Sequence, residues 1–214
     1  MLRVEPDRHH VTLLRLGKIR THESTRKLAR RLEAGTARVL SATVSRQAQR
    51  WHVSFTCEVQ RTVIPRPARP PVGVDVGVKH LAVPSTGEVI ANPRHLGGAQ
   101  RRLARVNRRL ARRQGPRAPG GGWQVPSKGW QAARAELNRA HGRVANLGRD
   151  GLHKLTTELA TTCNAIVVED LNVAGMVRNR RLARRVADAG FGELRRQLGY
   201  KTTWHGSAMV VANR

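Results

Sequence analysis

Two short apolar runs in this sequence carry acids where acids are costly. Val72-Gly-Val-Asp-Val-Gly-Val78 holds Asp75 near its middle, and Ile166-Val-Val168 runs straight into Glu169 and Asp170. A carboxylate within an apolar strand needs a cation or hydrogen-bond donors to offset the loss of water. Gly73 and Gly77 flank Asp75 without side chains, so something bulky can approach the chain there. Acids at strand ends are where α/β sheets place their chemistry. Oxygen ligands on neighbouring strands of a basic protein point to divalent metal, Mg2+ above all. Two such ions about 4 Å apart can clamp the attacking and leaving oxygens of a phosphodiester. A glycosidase uses the same pair of residue types, but the arginine around these acids favours phosphate over sugar. Successive side chains on a strand point to opposite faces, so Glu169 and Asp170 cannot both face a shared ion. The plainer alternative is an Asp beside a glycine turn and two acids opening a solvated loop.

The surrounding pattern says which elements must position these acids. Residues 72–83 read as a strand and a tight bend, followed by a hairpin around Thr86-Gly87. The period then changes: Leu96, Ala99, Leu103, Val106 and Leu110 are spaced three and four apart, which predicts a helix with one apolar seam. Residues 115–126 interrupt it with Gly and Pro, a flexible loop. A second seam follows at Trp130, Ala133, Leu137, Ala140, Val144 and Leu147, continuing weakly through Leu152, Leu155 and Leu159. Two such helices form an antiparallel hairpin. Gly148 and Gly151 fall inside the second helix and predict a kink or break. Residues 165–171 are a buried strand, 178–185 a basic loop, and 207–212 a last strand. Asp188 is placed to N-cap a helix over about 190–204. Strand, hairpin, helices, strand, helix and strand in that order make an α/β fold.

The first part of the chain differs. Residues 11–16 and 37–45 read as strands and 25–34 as a helix. Trp51, Val53, Phe55, Cys57 and Val59 alternate along one face of a further strand. Short strands with one buried face predict a small, partial β-barrel over 1–64. Pro65, Pro67, Pro70 and Pro71 mark a linker over 65–71, after which the α/β part occupies 72–214 with a helical insertion at about 95–160.

Charge names the partner class. The 214 residues contain 40 Lys+Arg against 14 Asp+Glu, a net charge of +26. So basic a protein is stable in solution when a polyanion neutralises it, and nucleic acid is the usual one. Arg101, Arg102, Arg105, Arg108, Arg109, Arg112 and Arg113 cover the first seam helix, and Arg178, Arg180 and Arg181 open the basic loop; these are the candidate phosphate contacts. A basic structural RNA-binding protein would explain the charge but not the acid-tipped strands. Cys57 and Cys163 form no CxxC pair, which argues against a local zinc site and predicts two reduced, buried thiols. The nine histidines show no metal-binding spacing. The N-terminus lacks a signal-peptide pattern, and no run reaches the roughly 18 apolar residues of a membrane span, so a cytoplasmic, nucleoid-associated protein is expected.

With these residues in view, a resemblance emerges. Residues 72–82 resemble the first RuvC motif of the TnpB (OrfB) family, transposon-encoded proteins related to type V CRISPR effector nucleases. Ile166-Val-Val-Glu-Asp-Leu-Asn-Val-Ala-Gly-Met176 resembles the second motif, and residues 179–201 are similar to the segment that follows it. The resemblance implies an RNase H-like (RuvC) core with a helical-hairpin insertion, preceded by a wedge-type β-barrel. It implies an RNA-guided DNA endonuclease, also described in the family as a probable transposase, with guide RNA and DNA as partners and Mg2+ as cofactor. By position, Asp75 matches the first catalytic Asp and Glu169 the catalytic Glu, both metal ligands. The family's third catalytic Asp and four-Cys zinc ribbon have no counterpart among these 214 residues, and neither do its N-terminal recognition helices. Two Mg2+ ions carry more charge than two carboxylates and one phosphate offset. The expectation is therefore a copy truncated at both ends, with impaired cleavage. The rival expectation is a catalytically inactive module that only binds RNA and DNA.

Overall fold

A computed structural model of the chain describes residues 2–47, 50–60 and 69–212. The chain divides into two compact units, residues 1–62 and 63–214. Pro65 and Pro67 of the expected linker lie outside the described residues, while Pro70 and Pro71 carry no regular structure.

In the first unit, β1 (Arg3–Val4), β2 (His10–Leu13) and β3 (Gly17–Arg20) pair antiparallel in that order. The expected strand over 11–16 ends early. Arg15 and Gly17 take left-handed φ values of 64° and 72°, turning the chain back and leaving Leu14 and Leu16 exposed. Asp7 holds the preceding turn by accepting hydrogen bonds from the His9 and His10 amides. The His9 amide above all, with the His10 ring and Lys18, holds its carboxyl at about 2. Helix α1 (Arg26–Glu33) stops at Gly35, whose φ of 67° lets its amide bond back to the Leu32 carbonyl. Then β4 (Ala37–Gln47) and β5 (Arg50–Val59) form an antiparallel ribbon with an irregularity between Val39 and Ser41. Val53, Phe55 and Cys57 are half-buried on the face the alternation marks, but Trp51 and Val59 are exposed. Cys57 is thus a half-buried thiol rather than a buried one, while Cys163 is buried and both are free.

The second unit is α/β. Strands β6 (Val72–Asp75), β7 (His80–Pro84), β8 (Ile90–Ala91), β9 (Ala165–Glu169) and β10 (Ala208–Ala212) make one mixed sheet ordered β10-β9-β6-β7-β8. The β6, β9 and β10 strands are parallel; β7 pairs antiparallel with β6, and β8 antiparallel with β7. Parallel neighbours need long crossovers. Helices α2 (His95–Ala111) and α3 (Lys128–Thr162) lie between β8 and β9. Helices α4 (Val173–Arg178), α5 (Ala183–Ala189) and α6 (Phe191–His205) lie between β9 and β10. The core joins Val72 and Val74 of β6 and Ile166 and Val168 of β9 to Leu152, Leu155 and Leu159 of α3 and Leu194 and Leu198 of α6. Ile166 and Leu198 are fully buried; each such side chain contributes about 1.5–3 kcal/mol.

Three expectations change. Helix α3 runs unbroken through Gly148 and Gly151, because 35 residues of helix are held at both ends: by α2 through Leu137 and Ala140, and by the sheet through Leu152, Leu155 and Leu159. The stretch between has little to pack on, so Leu147 is exposed rather than part of the seam. The basic loop is shorter than expected, since Arg178 closes α4 and Arg184 and Arg185 belong to α5. Asp188 does not cap α6. Gly190, with a φ of 70°, makes the break between α5 and α6 by itself. Asp188 instead accepts from the Leu96 and Gly97 amides at 2.8 and 3.1 Å, capping the start of α2. Arg94 at that N-cap position offers no side-chain bond, so the free amides there are met by a carboxylate from α5.

A polar network buried between α3 and α6 has no signal in the sequence. Glu193, Gln197 and Lys201 are spaced four apart on one face of α6. Lys201 donates to the His153 carbonyl and to the Thr156 and Thr157 hydroxyls at 2.7–2.8 Å, and Thr156 donates to Gln197. Burial pushes the Lys201 ammonium below its ordinary pKa.

Candidate functional site

The acids are positioned by strand register. Val72, Gly73 and Val74 pair with Ile166, Val167 and Val168, so continuing that register sets Asp75 beside Glu169 at the C-terminal ends of β6 and β9. Val72, Val74, Ile166 and Val168 face the core. Period two therefore puts Asp75 and Glu169 together on the opposite face. Asp75 is exposed and Glu169 half-buried. Asp75 thus closes its strand instead of lying within it, and the desolvation cost expected for a mid-strand carboxylate does not arise. Their neighbours across the sheet are apolar: Val83 pairs with Asp75 and Ala212 with Glu169.

Asp170 goes elsewhere. Its carboxylate accepts from Arg195 of α6 at 2.7 Å, an ion pair on the other side of the strand end. Of the two adjacent acids, Glu169 is the one sharing a face with Asp75. The flanking glycines differ too. A Cβ on Gly73 would make ordinary contact with Ser85, whereas one on Gly77 would press to 3.3 Å against the His80 carbonyl. Gly77 therefore serves the tight β6–β7 bend, and Gly73 leaves room near Asp75.

Among the described residues, no group of three or more His, Cys, Asp or Glu side chains could hold a metal ion. The carboxylate pair alone suits one hard divalent cation. Mg2+ is commonly held by one or two carboxylates, keeping several waters and taking further oxygens from substrate phosphates.

The arginines lie on the surface. Arg101, Arg102, Arg105, Arg108, Arg109, Arg112 and Arg113 are all exposed along α2 and the residues after it. Leu103 and Val106 turn the opposite face onto Leu137 and Ala140 of α3. Arg109 is already committed to an ion pair with Glu136 of α3. Arg178 at the end of α4 and Arg180 and Arg181 after it are exposed. No helix among the described residues is long and apolar enough to cross a membrane.

Residues 54–180 match the OrfB_IS605 family, described as "Probable transposase". The chain belongs to that family. The matched span includes Asp75, Glu169 and the whole arginine-rich helical hairpin. A Mycobacterium tuberculosis protein named "Putative RNA-guided DNA endonuclease" is 43% identical over 226 aligned positions, covering 100% of this chain and 47% of that protein. Escherichia coli InsQ, with the same descriptive name, is 30% identical over 191 positions, covering 82% of this chain and 45% of its own length. The chain thus spans about half the length of the curated relatives it matches. In fold, it resembles part of the protein in a cryo-EM structure of a Cas12f1–sgRNA–target DNA complex, with a TM-score of 0.57, 14% identity, and coverage of 89% of this chain and 39% of that one.

Proposed function

We propose that this chain carries the strand-cleaving core and a phosphate-binding surface of a transposon-encoded, RNA-guided DNA endonuclease. The reading rests on one observation above all. Within the span that matches the family, Asp75 and Glu169 end neighbouring parallel strands side by side on one face. An antiparallel meander, β6-β7-β8, extended beside its first strand by parallel β9 and β10, supports an RNase H-like (RuvC) core over 72–214 with a helical insertion at about 95–160. The sheet and ribbon of the first unit support a partial wedge-type barrel over 1–64, joined by a linker over 65–71. Relatives named for RNA guidance and DNA cleavage make guide RNA and DNA the expected partners, at the nucleoid in the cytoplasm.

Asp75 and Glu169 would hold Mg2+, which when bound activates water and polarises a phosphodiester. The rest falls to the chain's own groups. Arg195 secures Asp170 and so steadies the end of β9 that carries Glu169. The exposed α2 arginines neutralise phosphates of the bound strand. A second reading, a module that binds without cutting, is favoured by the lack of a third metal-ligating side chain near the pair among the described residues.

The test is cleavage of a double-stranded DNA target with a matching guide RNA and Mg2+, comparing the chain with Asp75→Ala. Both proteins should bind, with log affinity falling by about 0.9 per log salt for each phosphate neutralised on duplex DNA. Only the unsubstituted chain should cut. Cutting by Asp75→Ala would refute the site, and binding without cutting by either would favour the second reading.

A further inference from the structure

The segment joining α2 to α3 contradicts its composition. Residues 115–126 hold Gly115, Pro116, Pro119, Gly120, Gly121, Gly122 and Pro126, which predict a flexible loop. Instead the segment is a small hydrogen-bonded hairpin. The Ala118 amide bonds the Gly122 carbonyl at 2.8 Å, Gln124 the Pro116 carbonyl at 2.9 Å, and Ser127 the Gln114 carbonyl at 3.0 Å. The Gln124 side chain donates to the Gly115 and Arg117 carbonyls, and the Gln114 side chain to that of Val125. Below it, Trp130 packs so close to Gly115 that a Cβ there would sit 3.0 Å from the indole nitrogen.

This ordering does not bury the segment's own aromatic. Trp123 is 77% exposed, directly across an antiparallel bridge from Arg117. Arg117 is itself exposed, as are Arg112 and Arg113 just after α2. An indole held out by a stiff loop, opposite an arginine, is a poor choice for solubility. It is a good one for stacking, because an aromatic face accepts any base while arginines neutralise the flanking phosphates. The same pairing recurs in the first unit: Arg46 lies across the ribbon from Trp51, its guanidinium carbon 5.7 Å from a ring centroid.

We propose that Trp123 is a stacking platform for an unpaired base of a nucleic-acid strand, with Arg117 beside it contacting the backbone. The inference rests on the nucleic-acid-binding reading above and adds to it a named subsite. Stacking and phosphate contact do not read the 2′-hydroxyl, so the site should take DNA and RNA alike, with little sequence preference.

The experiment uses the full chain and matched single-stranded DNA and RNA oligonucleotides carrying 2-aminopurine, whose fluorescence falls when it stacks. The unsubstituted chain should quench both. Trp123→Ala should abolish the quenching and weaken binding by about 5- to 100-fold, the range expected for one base–aromatic stack. Trp123→Phe should keep most of both. Trp123→Ala should leave the salt slope unchanged, whereas Arg117→Ala should flatten it. As Trp123 is exposed, unchanged circular dichroism and melting will show that each variant is folded. Salt-steep binding by the unsubstituted chain with no change in Trp123→Ala would overturn the stacking site alone, as would quenching by RNA but not DNA. Failure of the unsubstituted chain to bind either strand would overturn the nucleic-acid reading and the subsite with it.

Discussion

The sheet edge that carries Asp75 and Glu169 and the hairpin of α2 and α3 are held in contrasting ways. The acids end strands whose other face is rooted in a thick core drawn from the sheet, α3 and α6. The hairpin closes on a thin seam in which Leu103, Val106, Leu137 and Ala140 are buried. Chemistry that depends on two carboxylates staying in register needs the first kind of support. A phosphate-binding surface tolerates the second, since electrostatic attraction falls off gently with distance. One helix serves both: the first half of α3 pairs with α2, and its last three turns are built into the core.

That difference should appear most strongly when equal cavities are cut in each region. Leu198→Ala in the core should lower global stability by about 2–5 kcal/mol in chemical denaturation. Leu103→Ala in the seam should cost less globally. It should instead open α2 and the first half of α3 to amide exchange while β6 and β9 stay protected. If the two variants lowered global stability equally, hairpin and sheet would unfold as one unit and the comparison would fail.

A smaller effect tests the carboxylate by which α5 holds the start of α2. Asp188→Ala removes the acceptor at the start of α2 and should cost about 0.5–2 kcal/mol, with exchange rising first at Leu96 and Gly97. Asp188→Asn, which can still accept one of these bonds, should recover part of the loss.

Acid should sharpen the contrast further. Arg196 grips Glu193 through both carboxylate oxygens and Gln197 donates to it, holding its carboxyl at about 2 against an ordinary 4.5. Because the folded-state pKa is depressed, its contribution is complete above about 4.5 and is lost as pH falls through about 2. Melting of the α3–α6 contact should decline over that window, and Glu193→Gln should flatten the decline. The smallest effect should come from Gly148, where a Cβ would meet nothing within 4 Å. Gly148→Ala should stabilise the bare middle of α3 by about 0.5–1 kcal/mol; destabilisation would mean the helix bends there.

What could be read from the sequence was whatever has a local period. Alternation revealed β5, an unbroken apolar run revealed β9, the three-and-four spacing revealed both seams, and the order of elements revealed an α/β unit. The acids stood out because Asp75 interrupts one apolar run and Glu169 ends another, although nothing local showed that Asp75 lies at its strand's end. What was hidden depends on distant partners. Asp188 sits two residues before Gly190, which breaks the helix, so a local cap is the natural reading, and its actual partners lie 92 and 91 residues away. Lys201 looks like any lysine on a basic helix until Thr156 and the His153 carbonyl close over it. The loop of residues 115–126 was misread for another reason. Composition counts its glycines and prolines, but Gln114 and Gln124 determine its order.

The pairing of Asp75 with Glu169 is the central claim, and Mn2+ titration followed by electron paramagnetic resonance tests it most directly. The chain should hold one ion, with affinity falling at least about tenfold in Asp75→Asn and again in Glu169→Gln, as expected when either of two ligands is lost. Asp170→Asn, whose side chain serves Arg195, should bind as the unsubstituted chain does. Undiminished Mn2+ binding in both Asp75→Asn and Glu169→Gln would contradict the account.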